Sequence, residues 1–204
     1  MSATLGKLNN CILFFFLSSY LVSGQRFMIE KDKYYIEIIR TNIADVFNRS
    51  TTMRLKSNEF NTVHIKLRMA TSNGDYALFD INKFSLVDET NKLRIRPADV
   101  AHRMALQELS FPRLATQPLQ IKHPEVENDN SVPDSFHFYD FKGYETIEIP
   151  MTFSAWGKSD TQILYFRPGM YKKKKLDFYF PFPKTSTIGV LYYGEEKVAI
   201  VVFK

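Results

Sequence analysis

The sequence predicts an all-β fold: an antiparallel sandwich of about ten short strands, with one short helix and a long insertion. Three observations support this prediction. Apolar and polar residues alternate along most of the chain, turn-forming residues separate the apolar runs, and helical spacing occurs in one short stretch. Many short strands joined by turns are typical of a sandwich or a barrel and not of a parallel sheet.

The first 24 residues have the layout of a secretory signal peptide. Lys7 is their only charged residue, an apolar run extends from Cys11 to Val22, and Ser23-Gly24 precedes Gln25. This run of about 12 residues is shorter than the roughly 20 that a membrane-spanning helix needs. We therefore expect cleavage after Gly24 and export to the periplasm, the cell surface or the extracellular space. A buried N-terminal strand or helix is the alternative.

Cleavage there would leave 180 of the 204 residues, remove the only cysteine and lower the net charge from +5 to +4. A mature chain without cysteine has no disulfide, no thiolate nucleophile and no cysteine zinc site. Secreted animal domains of this size often contain disulfides, so the absence of cysteine favours a bacterial envelope protein.

Two segments show the period of a half-buried strand most clearly. Residues 62–69 alternate apolar and polar side chains, and residues 145–153 do the same with Pro150 on the outward face, which indicates an edge or bulged strand. Further strands are predicted over 34–40, 76–79, 84–87, 92–96, 136–139, 162–166, 176–180, 187–193 and 197–203. Turns are predicted over 72–75, 88–91, 167–169 and 193–196.

Residues 97–109 depart from this alternation. Their apolar side chains have mixed helical spacing, and Pro97 suits a first helical turn, so we predict a short helix. Residues 110–134 contain four prolines and a polar run, which indicates a long surface segment. The prediction is a single domain over 25–204 with a surface insertion at about 98–135; a boundary between two small domains is the alternative.

Two parts of the chain, 76–97 and 164–203, carry a family resemblance. The first contains a strand followed by an aspartate-containing hairpin, and the second contains a late strand, a Pro-Phe-Pro break and a final hairpin. In hydrophobic spacing they resemble secreted bacterial immunoglobulin-like domains of unknown function. The resemblance implies an exported immunoglobulin-like sandwich and supplies no catalytic residues.

The sequence contains none of the common linear motifs for a serine nucleophile, a phosphate-binding loop, a dinucleotide or a zinc protease site. Its four histidines, at 64, 102, 123 and 137, are far apart, so a metal pair would depend on the fold. We predict no catalytic residues, no metal and no cofactor. A binding or structural module is favoured over an enzyme, and a hydrolase without a linear motif is the competing hypothesis.

The most prominent charge feature is the run Lys172, Lys173, Lys174 and Lys175, which follows Tyr171. Such a run either protects a strand edge from pairing, which we favour, or binds a polyanion. These five residues are the predicted ligand-binding candidates, at the mouth of a strand. We expect an unknown protein or glycan partner, no nucleic acid, and membrane contact that is peripheral at most. Asn48 begins the one glycosylation sequon, which matters only in a eukaryote.

Overall fold

The structure, a computed structural model, describes residues 26–29, 33–44, 57–104 and 107–203. The predicted signal peptide with Cys11, its cleavage site and the sequon at Asn48 lie outside these residues. No helix within these ranges is long and apolar enough to cross a membrane.

A six-stranded sheet and a five-stranded sheet form the body of the protein. The strands of the six-stranded sheet are, in spatial order, β1 (Arg26–Ile29), β2 (Tyr34–Ala44), β3 (Phe60–Thr71), β16 (Lys173–Pro183), β7 (Asp99–Met104) and β8 (Gln107–Ser110). Those of the five-stranded sheet are β11 (Glu145–Ile147), β6 (Leu93–Ile95), β5 (Phe84–Asp88), β17 (Ile188–Tyr193) and β18 (Glu196–Val202).

Three small sheets and two 3₁₀ turns complete the described part of the chain. The small sheets contain β10 (Val126–Glu127), β9 (Arg113–Ala115) and β14 (Leu164–Phe166); β12 (Met151–Ala155) and β13 (Lys158–Gln162); and β15 (Gly169–Tyr171) and β4 (Ala77–Phe79). The 3₁₀ turns are η1 (Ile81–Lys83) and η2 (Ser135–Phe138). Two described strand pairs, β6 with β11 and β9 with β10, are parallel.

The main core lies between the six-stranded and five-stranded sheets. In β3 the buried apolar positions are 63, 65, 67 and 69, and in β16 the buried aromatic residues Phe178, Phe180 and Phe182 alternate along the strand. Phe178 meets Phe84 of the opposite sheet with ring centroids 4.6 Å apart. The period-two pattern therefore predicted the core correctly, and the all-β sandwich is confirmed.

The predicted helix over 97–109 is wrong, because β7 and β8 form an antiparallel hairpin there. Val100 pairs with Phe178 and enters the core, whereas Asp99 and Ala101 face the other side of the sheet. Long-range pairing with β16 thus outweighs the local spacing.

Two predicted strands also differ from the structure. Residues 135–138 form η2, although 136–139 had the composition of a strand. The segment 145–153 divides into β11 and β12 around 148–150, where Pro150 has no N–H to donate to a ladder.

The insertion predicted over about 98–135 is not a surface segment throughout. Phe111, Ile121 and Val126 are buried, and the last two belong to a second, smaller core with Met151 and Phe153. β9 of this region pairs with both β10 and β14. The prolines and polar residues lie between buried apolar residues, so the segment packs against the rest of the fold.

Candidate functional site

The outer face of the six-stranded sheet collects charged side chains from strands far apart in the sequence. Because the core side chains point inward, directly paired residues that alternate with them point outward together. One outward row contains Tyr35, Ala70 and Lys173, and the next contains Arg26, Glu37, Arg68 and Lys175. We call these two rows the basic face.

A groove of about 260 Å³ runs over the basic face. Ala70 lies between Tyr35 and Lys173 in the strand register, so a small side chain separates two long ones. The groove is lined by Arg26, Tyr35, Glu37, Arg68, Ala70, Thr71 and Lys173. Three cations against one carboxylate give this concave surface a net positive charge.

Arg68 is the central cation of the groove. Its Nη1 donates to Oε2 of Glu37 at 2.8 Å, and its side chain is 31% exposed. Its Nε is buried and has no hydrogen-bond partner in the described part of the chain. A guanidinium presents five N–H donors in a planar fork, so Arg68 keeps donors for a carboxylate, sulfate or phosphate group.

The structure divides the predicted lysine run between two sides of the sheet. Lys173, Lys174 and Lys175 are the first residues of β16 and pair with β3, so only Lys172 precedes the strand. β7 pairs with β16 only from Leu176 to Tyr179, which leaves the lysine end of β16 without this neighbour. Lys173 and Lys175 join the basic face.

The other members of the predicted site point elsewhere. Lys174 pairs with the buried Met69 and places its Nζ 5.1 Å from the ring centroid of Tyr171, which packs against the main core. The side chain of Lys172 lies beside Gly74 in the turn after β3. The five predicted residues therefore do not form one site.

Sequence reasoning missed Arg26 and Arg68 as partners of the lysines. The polar side of β3, with His64, Lys66 and Arg68, was visible as an alternation. The pairing of Arg68 with Glu37 and with Lys175 was not visible, because these partners are 31 and 107 positions away in the sequence, and β1 reaches β3 only through β2.

A hydrogen-bonded histidine lies further along the same outer face. His64 Nε2 is 2.7 Å from Oδ1 of Asp177, His64 Nδ1 is 3.0 Å from Oδ1 of Asn42, and the ring of Tyr179 stacks on the imidazole at 4.9 Å. Asn42 Nδ2 donates to the carbonyl of Ile43, which fixes Oδ1 toward the histidine. Both nitrogens of His64 therefore face acceptors.

The Asp177 carboxylate is held in its charged form. Burial would raise the pKa of Asp177, but the hydrogen bond and charge of His64 and the charge of Lys66 outweigh burial and lower this pKa below its ordinary value. The Lys66 Nζ lies 3.4 Å from Oδ1 of Asp177. This cluster strengthens the pairing of β3 with β16 below the groove.

A second cleft, of about 360 Å³, lies over the smaller core. The rings of His123 and Phe153 line it with centroids 5.3 Å apart. Arg113 also lines this cleft, but its guanidinium donates to Asp99 at 2.8 Å and to Glu125 at 3.2 Å. Its charge is thus compensated within the protein, unlike that of the basic face.

No protein-family model, curated protein or solved structure matches this chain. The resemblance to immunoglobulin-like domains over 76–97 and 164–203 therefore stays a prediction.

Proposed function

We propose that the protein is an exported binding module that holds an acidic ligand in the groove of its basic face. The observation that supports this most directly is the convergence of Arg26, Arg68 and Lys173 from three strands on one groove. Like charges placed together cost folding free energy unless a counter-charge is present, and Glu37 balances only one of them. A bound anion would supply the missing charge.

The arrangement suits a ligand with several anionic groups. Neighbouring strands are about 4.8 Å apart, so three strand spacings, from β1 to β16, cover roughly 14 Å. Tyr35, 41% exposed, offers a ring surface beside the cations. An acidic glycan, with charged groups spaced along sugar rings, combines both features.

Export is consistent with where the groove begins. Arg26 lies two positions after the expected cleavage site, and it is the first residue of β1. A mature chain starting at Gln25 would keep every residue that lines the groove.

An exposed apolar pair provides a second contact surface near the lysines in sequence. Leu78 and Met170 pair across β4 and β15 and are 62% and 56% exposed, and the neighbouring Tyr76 is 70% exposed. Exposed apolar clusters of this kind are typical of interaction surfaces.

The hydrolase hypothesis has weaker support. His64 is held between the carboxylate of Asp177 and the amide oxygen of Asn42, and neither partner is a hydroxyl or thiol nucleophile of the kind that a histidine base activates. We therefore assign His64 to the structure of the sheet.

The proposal is tested with the double variant Lys173→Ser/Lys175→Ser. Each cation near an anionic surface contributes about 1 kcal/mol, so we expect affinity for heparin, a model acidic glycan, to fall about 30-fold in calorimetric titration. Added salt should weaken binding by the wild type. The matched control Lys142→Ser/Lys197→Ser removes the same charge from two exposed lysines elsewhere.

The control variant distinguishes the loss of a local binding site from a general loss of positive charge. Equal losses in the two double variants, or no loss in either, would refute the groove as the binding site. Vesicles with anionic lipid form a second arm: binding to vesicles without binding to heparin would replace the glycan by a membrane surface. Unchanged thermal unfolding of the variants confirms that folding is intact, because such surface changes alter stability by no more than about 0.5 kcal/mol.

A further inference from the structure

A cluster of two carboxylates and one histidine lies beside the five-stranded sheet. Asp134 caps η2 by accepting the N–H of Phe136 at 3.2 Å, and His137 lies within η2. A 3₁₀ turn has three residues per turn, which brings the side chains of residues 134 and 137 to the same side. Glu148 follows β11, and the potential ligand atoms of the three residues lie within 4.8 Å of one another.

The two separations that involve His137 are close to those between ligands on one metal ion. His137 Nε2 is 3.4 Å from Oε1 of Glu148 and 3.7 Å from Oδ2 of Asp134. Two ligands at about 2.1 Å from a tetrahedral zinc ion are roughly 3.4 Å apart. The imidazole nitrogen therefore lies at a suitable separation from one oxygen of each carboxylate.

One of these atoms lacks a partner. Oδ2 of Asp134 is buried and accepts no hydrogen bond from any described residue. A distance of 3.7 Å to His137 is too long for a hydrogen bond. A buried carboxylate oxygen without a donor costs free energy, and a cation between Asp134 and His137 would compensate it.

Arg96 holds the two carboxylates in place, and it shares Oε1 of Glu148 with His137. Its side chain is 4% exposed and donates to Oδ1 of Asp134 and to Oε1 of Glu148. Its backbone N–H donates to the carbonyl of Ile147 at 3.0 Å, so the ends of β6 and β11 are fixed together. Hydrogen-bond donors that orient the coordinating side chains in this way are typical of metal sites.

Arg96 also limits the charge of the cluster. The two carboxylates and the guanidinium of Arg96 have a formal charge of −1, and the guanidinium of Arg94, which packs on Phe136 at 4.0 Å from the ring centroid, adds a further positive charge nearby. An imidazole ligand favours a transition metal over Ca²⁺ or Mg²⁺. Because His137 is 54% exposed, the open side of the site faces solvent and a chelator could remove the ion.

We propose that Asp134, His137 and Glu148 bind one divalent transition-metal ion of the Zn²⁺ class, with water completing the coordination. This departs from the sequence-based expectation of no metal, which rested on the wide spacing of the histidines. The ion would link η2 to the end of β11 and so fix the C-terminal end of the insertion against the five-stranded sheet.

The test uses untagged protein, Zn²⁺ and the variant His137→Ala. We expect calorimetry to show one saturable Zn²⁺ site per chain, and EDTA to reverse the accompanying rise in melting temperature. Loss of the imidazole should weaken Zn²⁺ binding at least tenfold. His123→Ala, which removes a histidine from the other cleft, should bind Zn²⁺ like the wild type.

Co²⁺ provides a readout that does not depend on stability, because imidazole coordination changes its visible spectrum. The wild type and His123→Ala should give the same Co²⁺ spectrum, and His137→Ala should lose it. The proposal is wrong if the wild type binds no Zn²⁺ or if His137→Ala binds it as tightly. Glu148→Gln is the second variant, and unaltered Zn²⁺ affinity there would also contradict the assignment.

Discussion

Arg113 joins the insertion to the six-stranded sheet through a buried ion pair. Its side chain is 3% exposed, and its Nη2 donates at 2.8 Å to Oδ1 of Asp99, whose carboxylate is fully buried. The remaining described donor to that carboxylate is the backbone N–H of Val100, at 2.9 Å. Removing the guanidinium would therefore leave an almost uncompensated buried charge.

We expect Arg113→Met to lower the free energy of unfolding by about 3–5 kcal/mol, the usual cost of removing one partner of a buried pair. Methionine fills much of the space of the arginine stem, so little of this cost comes from a cavity. The double variant Asp99→Leu/Arg113→Met removes both charges, and it should recover most of the stability.

Arg167→Met is the matched control. Arg167 also binds two carboxylates, Glu127 at 2.7 Å and Asp129 at 2.8 Å, but its side chain is 35% exposed. Ion pairs this exposed contribute at most about 1 kcal/mol. Urea unfolding followed by circular dichroism gives the stabilities of all variants. An Arg113→Met variant as stable as Arg167→Met would refute the stabilising role of the buried Arg113–Asp99 ion pair. The hypothesis that this region is a surface loop would then be favoured again.

Three further predictions concern packing in the core, the loss of stability at low pH and cleavage of the signal peptide. Gly189→Ala should lose about 1–3 kcal/mol in thermal unfolding, because a Cβ there would lie 2.8 Å from Cδ1 of Leu86; unchanged stability would contradict this packing. The folded-state pKa of Asp177 is lowered, so its stabilising effect is present above the ordinary aspartate pKa and is lost as pH falls through the folded value. Asp177→Asn should therefore flatten the acid side of the stability–pH curve, and coincident curves would exclude this role. N-terminal sequencing of exported protein should begin at Gln25, whereas an intact Met1 on a cytoplasmic form would rule out the signal peptide.

The sequence predicts the core better than it predicts the site, because the two depend on different ranges of interaction. The alternation in β3 and β16 is local, so the inward residues Leu67 and Phe178 could be identified from spacing alone. The basic face depends on register between strands separated by long stretches of chain. Nothing in the local sequence places Arg26 near Arg68, or separates Lys174 from Lys173.

The errors in the region after Pro97 have a related physical origin. The apolar spacing of 97–109 suits a helix or a hairpin, and pairing of Val100 with Phe178 decides between them. In the insertion, Phe111 and Val126 are separated by prolines and charges, so their burial leaves no period to detect. The cluster around Arg96 also leaves no signal in the local sequence, because the parallel pairing of β6 with β11 is what brings Arg96 and Glu148 together.

The position of β1 at the edge of the six-stranded sheet makes ligand binding and strand docking thermodynamically linked. β1 is four residues long and, among the described strands, pairs only with β2, yet it supplies one of the three cations of the groove. A ligand that contacts Arg26 together with Arg68 therefore favours the docked strand over a frayed one. At a concentration of 100 times its Kd, such a ligand would add about 2.7 kcal/mol to the stability of the native state. Hydrogen exchange at β1 should accordingly slow on saturation more than exchange in β18, at the edge of the other sheet.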